Sequence, residues 1–302
     1  MKNKFLLVTI LFTGLLSFAQ QDAQFTQYMY NTININPAYA GSRGVMSIFA
    51  LHRTQWVGLD GAPVTNTASI NTPLNRNNLG LGVSIINDKI GPTDENTISA
   101  DLSYTVPTSE KFKLSFGLKA TANLFSLDAS KLNPVQSDPT IRDYNNKFTP
   151  NIGAGVYFHS DKAYVGLSIP NFIETNKYND NEVAILKEKI TYYLIGGYVF
   201  DLDYNLKFKP ALLTKMVSGA PLQVDVSGNF LINDRFTVGV AYRWSAAVSA
   251  MVGFQITDGL YIGYGYDLET TNLANYNAGS HEVFFRYDIF QNNKKITTPR
   301  FF

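Results

Sequence analysis

From Val45 onwards, apolar and small or polar residues alternate with a period of two, in segment after segment separated by turn residues. Successive side chains of a strand point to opposite faces, so this period describes strands with two unlike faces. Residues 97–106 show it most clearly. Ile98, Ala100, Leu102, Tyr104 and Val106 share one face, and Thr97, Ser99, Asp101, Ser103 and Thr105 the other. Residues 112–124 repeat the pattern, with Phe112, Leu114, Phe116, Leu118, Ala120 and Ala122 opposite Lys113, Ser115, Gly117, Lys119, Thr121 and Asn123. Further segments are predicted at 79–86, 152–159, 163–170, 190–200, 206–216, 222–232, 236–244, 248–256, 260–268 and 281–290. Weaker candidates at 45–56 and 66–74 bring the total to fourteen. Pro210 cannot donate a ladder hydrogen bond, so a bulge is expected there. Residues 181–189 form the one short helical candidate, inside a predicted loop.

Alternation alone would also suit a soluble β-sandwich. Three features point instead to an all-β transmembrane antiparallel barrel of about fourteen strands. The segments mostly run nine to thirteen residues, whereas soluble strands are usually ~5–6 residues and a tilted membrane strand needs about 9–11. Asp101, Lys113, Lys119, Asp225, Arg243, Asp267, Glu282, Arg286 and Asp288 share the parity of the Gly, Ser, Thr and Asn positions and are read as lumen-facing. A Lys or Arg facing lipid at mid-depth would cost roughly 2–4 kcal/mol. Connections also alternate: short polar turns at 75–77, 107–111, 160–162, 201–204, 233–235 and 257–259 against long gaps at 57–65, 87–96, 126–147, 171–189 and 269–280. The gaps at 218–221 and 245–247 are short exceptions. Short inside and long outside is the asymmetry of outer-membrane barrels, and an even strand count places both termini on the periplasmic side. Closure removes edge strands, whose unpaired backbone groups lipid cannot satisfy. Tyr157, Tyr164, Tyr198, Tyr204, Trp244 and Tyr261 lie near strand ends and suit interfacial girdles. The terminal Phe301 and Phe302 suit a barrel assembly signal.

The remaining composition narrows the chemistry. With 25 Lys+Arg against 24 Asp+Glu, the chain is neither a basic nucleic-acid platform nor an acidic tail. It has no Cys, which excludes disulfides, thiolate metal sites and thiol catalysis. Lys2 and Lys4, the apolar run 5–16 and the small residues Ser17 and Ala19 read as a secretory signal, cleaved after about Ala19. The expected organisation is therefore a signal over 1–19, a polar leader or plug segment over 20–44, and a barrel over 45–302 in the outer membrane.

No catalytic constellation stands out. His52, His159 and His281 are isolated, without zinc-site spacing, and are read as ordinary strand residues. The neighbours His159 and Ser160 fall at a predicted turn, which speaks against an outer-membrane hydrolase. The strings at 80–82, 153–155 and 263–265 place Gly on the inward parity, where it relieves crowding; no helix follows to make a dinucleotide site. Asp88, Asp94 and Glu95 lack the spacing of a calcium loop and read as a solvated loop. Neither metal nor cofactor is expected.

The beginning of the mature chain is distinctive. Gln24-Phe25-Thr26-Gln27-Tyr28-Met29 is followed by Asn36-Pro37-Ala38-Tyr39-Ala40-Gly41, then Arg53-Thr54-Gln55-Trp56-Val57-Gly58 and Gly61-Ala62-Pro63. Asn-Pro and Ala-Gly are turn signals, consistent with a folded-back leader at the barrel entrance. A Trp between Gln55 and a Gly/Pro-rich stretch could cap the lumen or bind a partner, and the residues leave both open.

These three boxes, the last ending at Thr65, resemble the PorP/SprF family of Bacteroidetes outer-membrane proteins, and the later strands agree in number and texture. The resemblance implies a non-enzymatic barrel associated with type IX secretion and gliding motility. Its partners would be a secreted or surface adhesin, or ring and peptidoglycan-binding proteins of the periplasm. Gln27, Tyr28, Asn36, Pro37, Tyr39, Gly41, Arg53, Gln55, Trp56, Gly58, Gly61 and Pro63 are the expected partner or plug contacts. The alternative is a channel for small or hydrophobic solutes, with residues 20–44 as its plug.

Overall fold

A computed structural model describes residues 25–74, 78–132, 143–176 and 187–290. Fourteen antiparallel strands form one closed barrel. They are β1 (Met46–Thr54), β2 (Val64–Leu74), β3 (Leu79–Ile90), β4 (Thr93–Pro107), β5 (Lys113–Leu127), β6 (Tyr144–His159) and β7 (Ala163–Ile169). After these come β8 (Thr191–Tyr198, resuming as Phe200–Asp203), β9 (Leu206–Val217), β10 (Gln223–Ile232), β11 (Phe236–Arg243), β12 (Ala247–Gln255), β13 (Leu260–Glu269) and β14 (Ser280–Ile289). Each strand pairs with its neighbours in sequence, and β14 returns to β1 in a ladder from Met46↔Ile289 to Thr54↔His281. That ladder is the closure seam.

The two faces are inverted relative to a soluble protein. Outward positions are aliphatic or aromatic, with Leu118 65% and Val240 63% exposed; in water such a continuous apolar belt would drive aggregation, whereas in lipid it is the required surface. Inward positions carry Ser, Thr, Asn, Gly and the charged groups, most of them buried. The interior is nevertheless not uniformly polar. Phe49, Leu51, Tyr157, Tyr164, Tyr193, Ile195, Leu213, Met251, Tyr261 and Phe284 face inward and form an apolar cluster with residues of the leader.

Several expectations need correction. Tyr157, Tyr164 and Tyr261 are not girdle residues, because their parity is that of Gly155, Gly166 and Gly263 and their rings are buried. Tyr198, Tyr204 and Trp244 are exposed. The predicted loop at 87–96 is mostly strand: β3 and β4 continue to Ile90 and from Thr93, leaving a two-residue turn. The strands outrun their apolar stretch because hydrogen bonding continues above the lipid, where the outward face becomes Asn66, Asn87 and Asn96 in register. β6 likewise begins at Tyr144, eight residues before the expected start. Pro210 makes no bulge: it stays in register opposite Gly228, and the missing N–H shows instead as the break in β8 at Val199. Lys187 and Glu188 are extended, pairing with Asn176 and Thr175; residues 181–186 of the helical candidate lie outside the described residues, as do the expected signal, residues 75–77 and Phe301-Phe302.

Candidate functional site: a filled lumen

Residues 25–43 lie inside the barrel, folded by three 3₁₀ turns, Tyr28–Tyr30, Thr32–Asn34 and Pro37–Tyr39. Short turns suit this stretch because its many Asn residues bond locally rather than extend a helix. In the third turn, Asn36 is extended, as a residue before proline must be, and its Oδ1 accepts from Ala38 N at 3.0 Å; Pro37 takes the first position, where no N–H is needed. Gly41 then reverses the chain at φ 69°, a left-handed conformation in which a Cβ would also meet the Cα of Gly80 at 2.8 Å.

The leader spans the lumen. Thr26 and Gln27 sit at the long-loop end, beside the penultimate residue of β1, Arg53. Their amides donate to Glu282 Oε2 and Oε1 at 3.0 and 2.9 Å. The Thr26 hydroxyl donates to Asp267, with oxygen separations of 2.6 and 2.7 Å, and accepts from Arg53 at 2.9 Å. The Arg53 guanidinium closes the cluster on Asp267 at 2.7 Å and Glu282 at 3.1 Å. At the opposite, short-turn end, Arg43 makes a two-point contact with Asp288, at 3.1 and 2.5 Å. The first described residue therefore lies at the end of the barrel opposite to where β14 leaves.

Between these anchors, the wall of β3–β7 reads the leader's backbone. Lys119 donates to Ile33 O at 3.3 Å, Ser168 to Ile35 O at 2.6 Å and Ser103 to Ala40 O at 2.7 Å. Asn36 Nδ2 donates to Val156 O at 3.1 Å. The inward glycines are where this approach is closest: a Cβ would fall 2.2 Å from Ala40 O at Gly80, 2.2 Å from Ala38 N at Gly117 and 2.2 Å from Asn36 Oδ1 at Gly155. Those glycines therefore make room for another piece of the same chain. On the other wall, Tyr30, Tyr261 and Phe284 form a three-ring cluster, Tyr30 lying 5.4 Å from Tyr261 and 4.8 Å from Phe284 by centroids, and Lys209 lies 5.4 Å from the Tyr30 ring centre.

Gln27, Tyr28, Asn36, Pro37, Tyr39 and Arg53 are thus brought together inside the barrel, with Gly41 reversing the leader against Pro73 and Gly80. Gln55, Trp56, Gly58, Gly61 and Pro63 are not; they form the rim loop between β1 and β2. Gln55 N donates to Pro63 O at 2.9 Å, and Gly91 N to Gly61 O at 2.9 Å. The Trp56 indole donates to Glu269 at 2.8 Å, and Val57 exchanges backbone bonds with Gly279 and Ala278 at 2.9 and 2.8 Å. Gly58 and Gly61 are exposed, both at positive φ.

Of the charged residues, Asp101, Lys119, Asp225, Asp267, Glu282, Arg286 and Asp288 are buried within the barrel. Lys119 pairs with Asp101 at 3.0 Å and Arg243 with Asp225 at 2.9 Å. Lys113, the first residue of β5, is exposed at the rim, since its strand ends before the lumen closes over it. Arg43, Lys209 and Lys215 are interior cations that the sequence reading passed over. The parity of β9 hid the lysines, because Ala211, Leu213 and Val217 lie on the same inward face. His159 approaches Ser115 at 3.4 Å, while the Ser160 hydroxyl accepts turn amides of Lys162 and Ala163. Asp88 and Glu95 face inward but Asp94 outward to Lys89, and among the described residues no group of three or more His, Asp or Glu converges as a metal site.

Among solved structures, the chain is similar to the CymD monoaromatic hydrocarbon channel, at 11% identity and TM-score 0.51, covering 93% of this chain and 97% of that one. It is also similar to the Acinetobacter baumannii outer membrane protein Omp33, at 9% identity, TM-score 0.49 and coverage of 81% and 98%. For the Pseudomonas putida toluene transporter TodX the values are 8%, 0.49, 87% and 95%. At these identities the first likeness shows a shared outer-membrane barrel fold and nothing further. No curated protein matches the chain. A family model does, over residues 17–287: the chain belongs to the family of type IX secretion system membrane proteins PorP/SprF.

Proposed function

We propose that this protein is a plugged, non-enzymatic outer-membrane mount of the type IX secretion and gliding machinery. In this reading it supports export or surface anchoring of a partner protein such as an adhesin, or docks the periplasmic ring. One observation carries the mount over the conduit: the lumen is occupied from end to end by residues 25–43, held at one extremity by the buried Arg43–Asp288 ion pair and at the other by hydrogen bonds from Thr26 and Gln27 to buried Asp267 and Glu282. Releasing such a segment would take from Asp288 its Arg43 counter-charge and from Asp267 and Glu282 the hydrogen bonds of Thr26 and Gln27, at a cost of several kcal/mol. The leader boxes then serve the barrel itself, and partner contact falls to the rim, where Gly58, Gly61 and their neighbours Gln55, Trp56 and Pro63 present a braced loop. In this reading the short turns face the periplasm, so β14 leaves on that side, whereas residue 25 lies at the outer, long-loop end, against the expectation of two periplasmic termini.

The test is a strain lacking the gene, with its surface and secreted proteins profiled. Loss of one or more type IX cargoes is expected; unchanged export of all of them would sink the proposal. The second reading, a channel for small or hydrophobic solutes, has the shared fold of a hydrocarbon channel in its favour. Planar-bilayer recording separates the two when residues 20–44 are trimmed: solute-selective conductance, altered by the trimming, would favour the channel, and a barrel without it the mount.

A further inference from the structure

The leader's strongest bonds are distributed unevenly around the barrel. At the long-loop end they run to Arg53 of β1, Asp267 of β13 and Glu282 of β14. Arg53 and Glu282 are register partners across the closure seam, and Gly265, two residues before Asp267, is paired with Glu282. At the short-turn end the contact is again to β14, through Asp288, which pairs with Ser47 of β1. The rim adds to this. The loop after β1 and the loop before β14 exchange backbone bonds through Val57, Ala278 and Gly279, and Trp56 N donates to Ser280 Oγ at 3.2 Å. Two of the distinctive stretches, at 25–29 and 53–58, thus meet on one line of the barrel wall together with Arg43, while that at 36–41 lies against the opposite wall.

We propose that residues 25–43 are the lock of the β1/β14 seam, so that leader docking and barrel closure form one cooperative step. The physical reason lies in chain order. The first and last strands are the pair with the greatest sequence separation, and their meeting bears the largest loop-closure entropy. A segment contiguous with β1 that already carries donors for β13 and β14 brings the far strands to it. Glu282 and Asp267 have their charge compensated in the lumen once Arg53 and the Thr26 and Gln27 donors are in place together. The proposal holds whether the barrel works as a mount or as a channel.

Amide hydrogen exchange on the full-length protein in detergent tests it. Thr26→Val keeps the leader's volume and removes the hydroxyl shared by Asp267 and Arg53. Exchange in β1 and β14 should rise about tenfold, as expected for losing a hydrogen bond to a charged group, with β5 and β6 within about twofold of the parent. Lys119→Met loosens the leader from the far wall and should not raise β1 and β14 selectively. Equal acceleration of all strands in Thr26→Val, or none in β1 and β14, would overturn the lock. Arg53→Met supplies the stronger version, read as loss of the heat-resistant folded band on gels. Retention of that band with parental seam exchange would count equally against the proposal.

Discussion

The two walls of the lumen hold the same leader by different physics. The β3–β7 wall is lined by Gly80, Gly117, Gly155 and small hydroxyls; it grips by shape, letting backbone approach backbone. The wall from β9 to β1 grips by charge and aromatic contact, through Arg53, Asp267, Glu282, Asp288 and the rings of Tyr261 and Phe284 packed on Tyr30. The difference teaches how a polar, turn-rich segment can be buried at all. Shape on one side removes water; charge on the other satisfies the donors and acceptors that dehydration would otherwise leave costly.

Substitutions that attack one wall at a time sharpen this contrast. Arg53→Met, on the charged wall, should be the most damaging, about 3–5 kcal/mol, because it strands two buried carboxylates. The urea midpoint of unfolding in detergent would register it, and a change under about 1 kcal/mol would mean that water reaches the cluster. Gly117→Val, on the shape wall, should cost about 2–3 kcal/mol by overpacking. Here the leader rather than the barrel should give way, so protease should cleave within residues 25–43 while the strands stay protected; an intact leader would show that the wall can yield. Asn36→Ala removes both the cap of Ala38 N and the bond to Val156 O, and about 1–3 kcal/mol in the same urea titration is expected. Ser168→Ala, one neutral hydrogen bond, should cost about 1 kcal/mol. A Ser168→Ala effect as large as that of Arg53→Met would erase the distinction between the walls.

Much of the barrel was legible because lipid imposes a strict rule on alternate residues. Thr97 to Val106 states its two faces without help from the rest of the chain, and β4 does contain it. Legibility failed where a residue's face depended on what filled the interior. Tyr157, Tyr164 and Tyr261 were read as girdle residues, since aromatics near strand ends usually meet the interface; their rings instead pack in the lumen, where Tyr157 meets Tyr39 of the leader with centroids 5.7 Å apart. Lys209 and Lys215 were missed for the same reason, sharing their face with Ala211 and Leu213. The loop at 87–96 was misjudged because strand pairing needs only backbone bonds and continues after apolar alternation stops.

The order of residues along the chain carries the local rule: which of them alternate, where glycine and proline break or turn the backbone, and that charge is kept off one face. Those are short-range preferences of φ, ψ and solvent, readable within ten residues. Who meets whom across the lumen is settled by the closed barrel alone. Arg53 finds Asp267 and Glu282 more than two hundred positions away, and Gly117 is small because Ala38 lies against it. Such pairings arise from closing the sheet into a cylinder, and no periodicity along the chain encodes the far side of a cylinder.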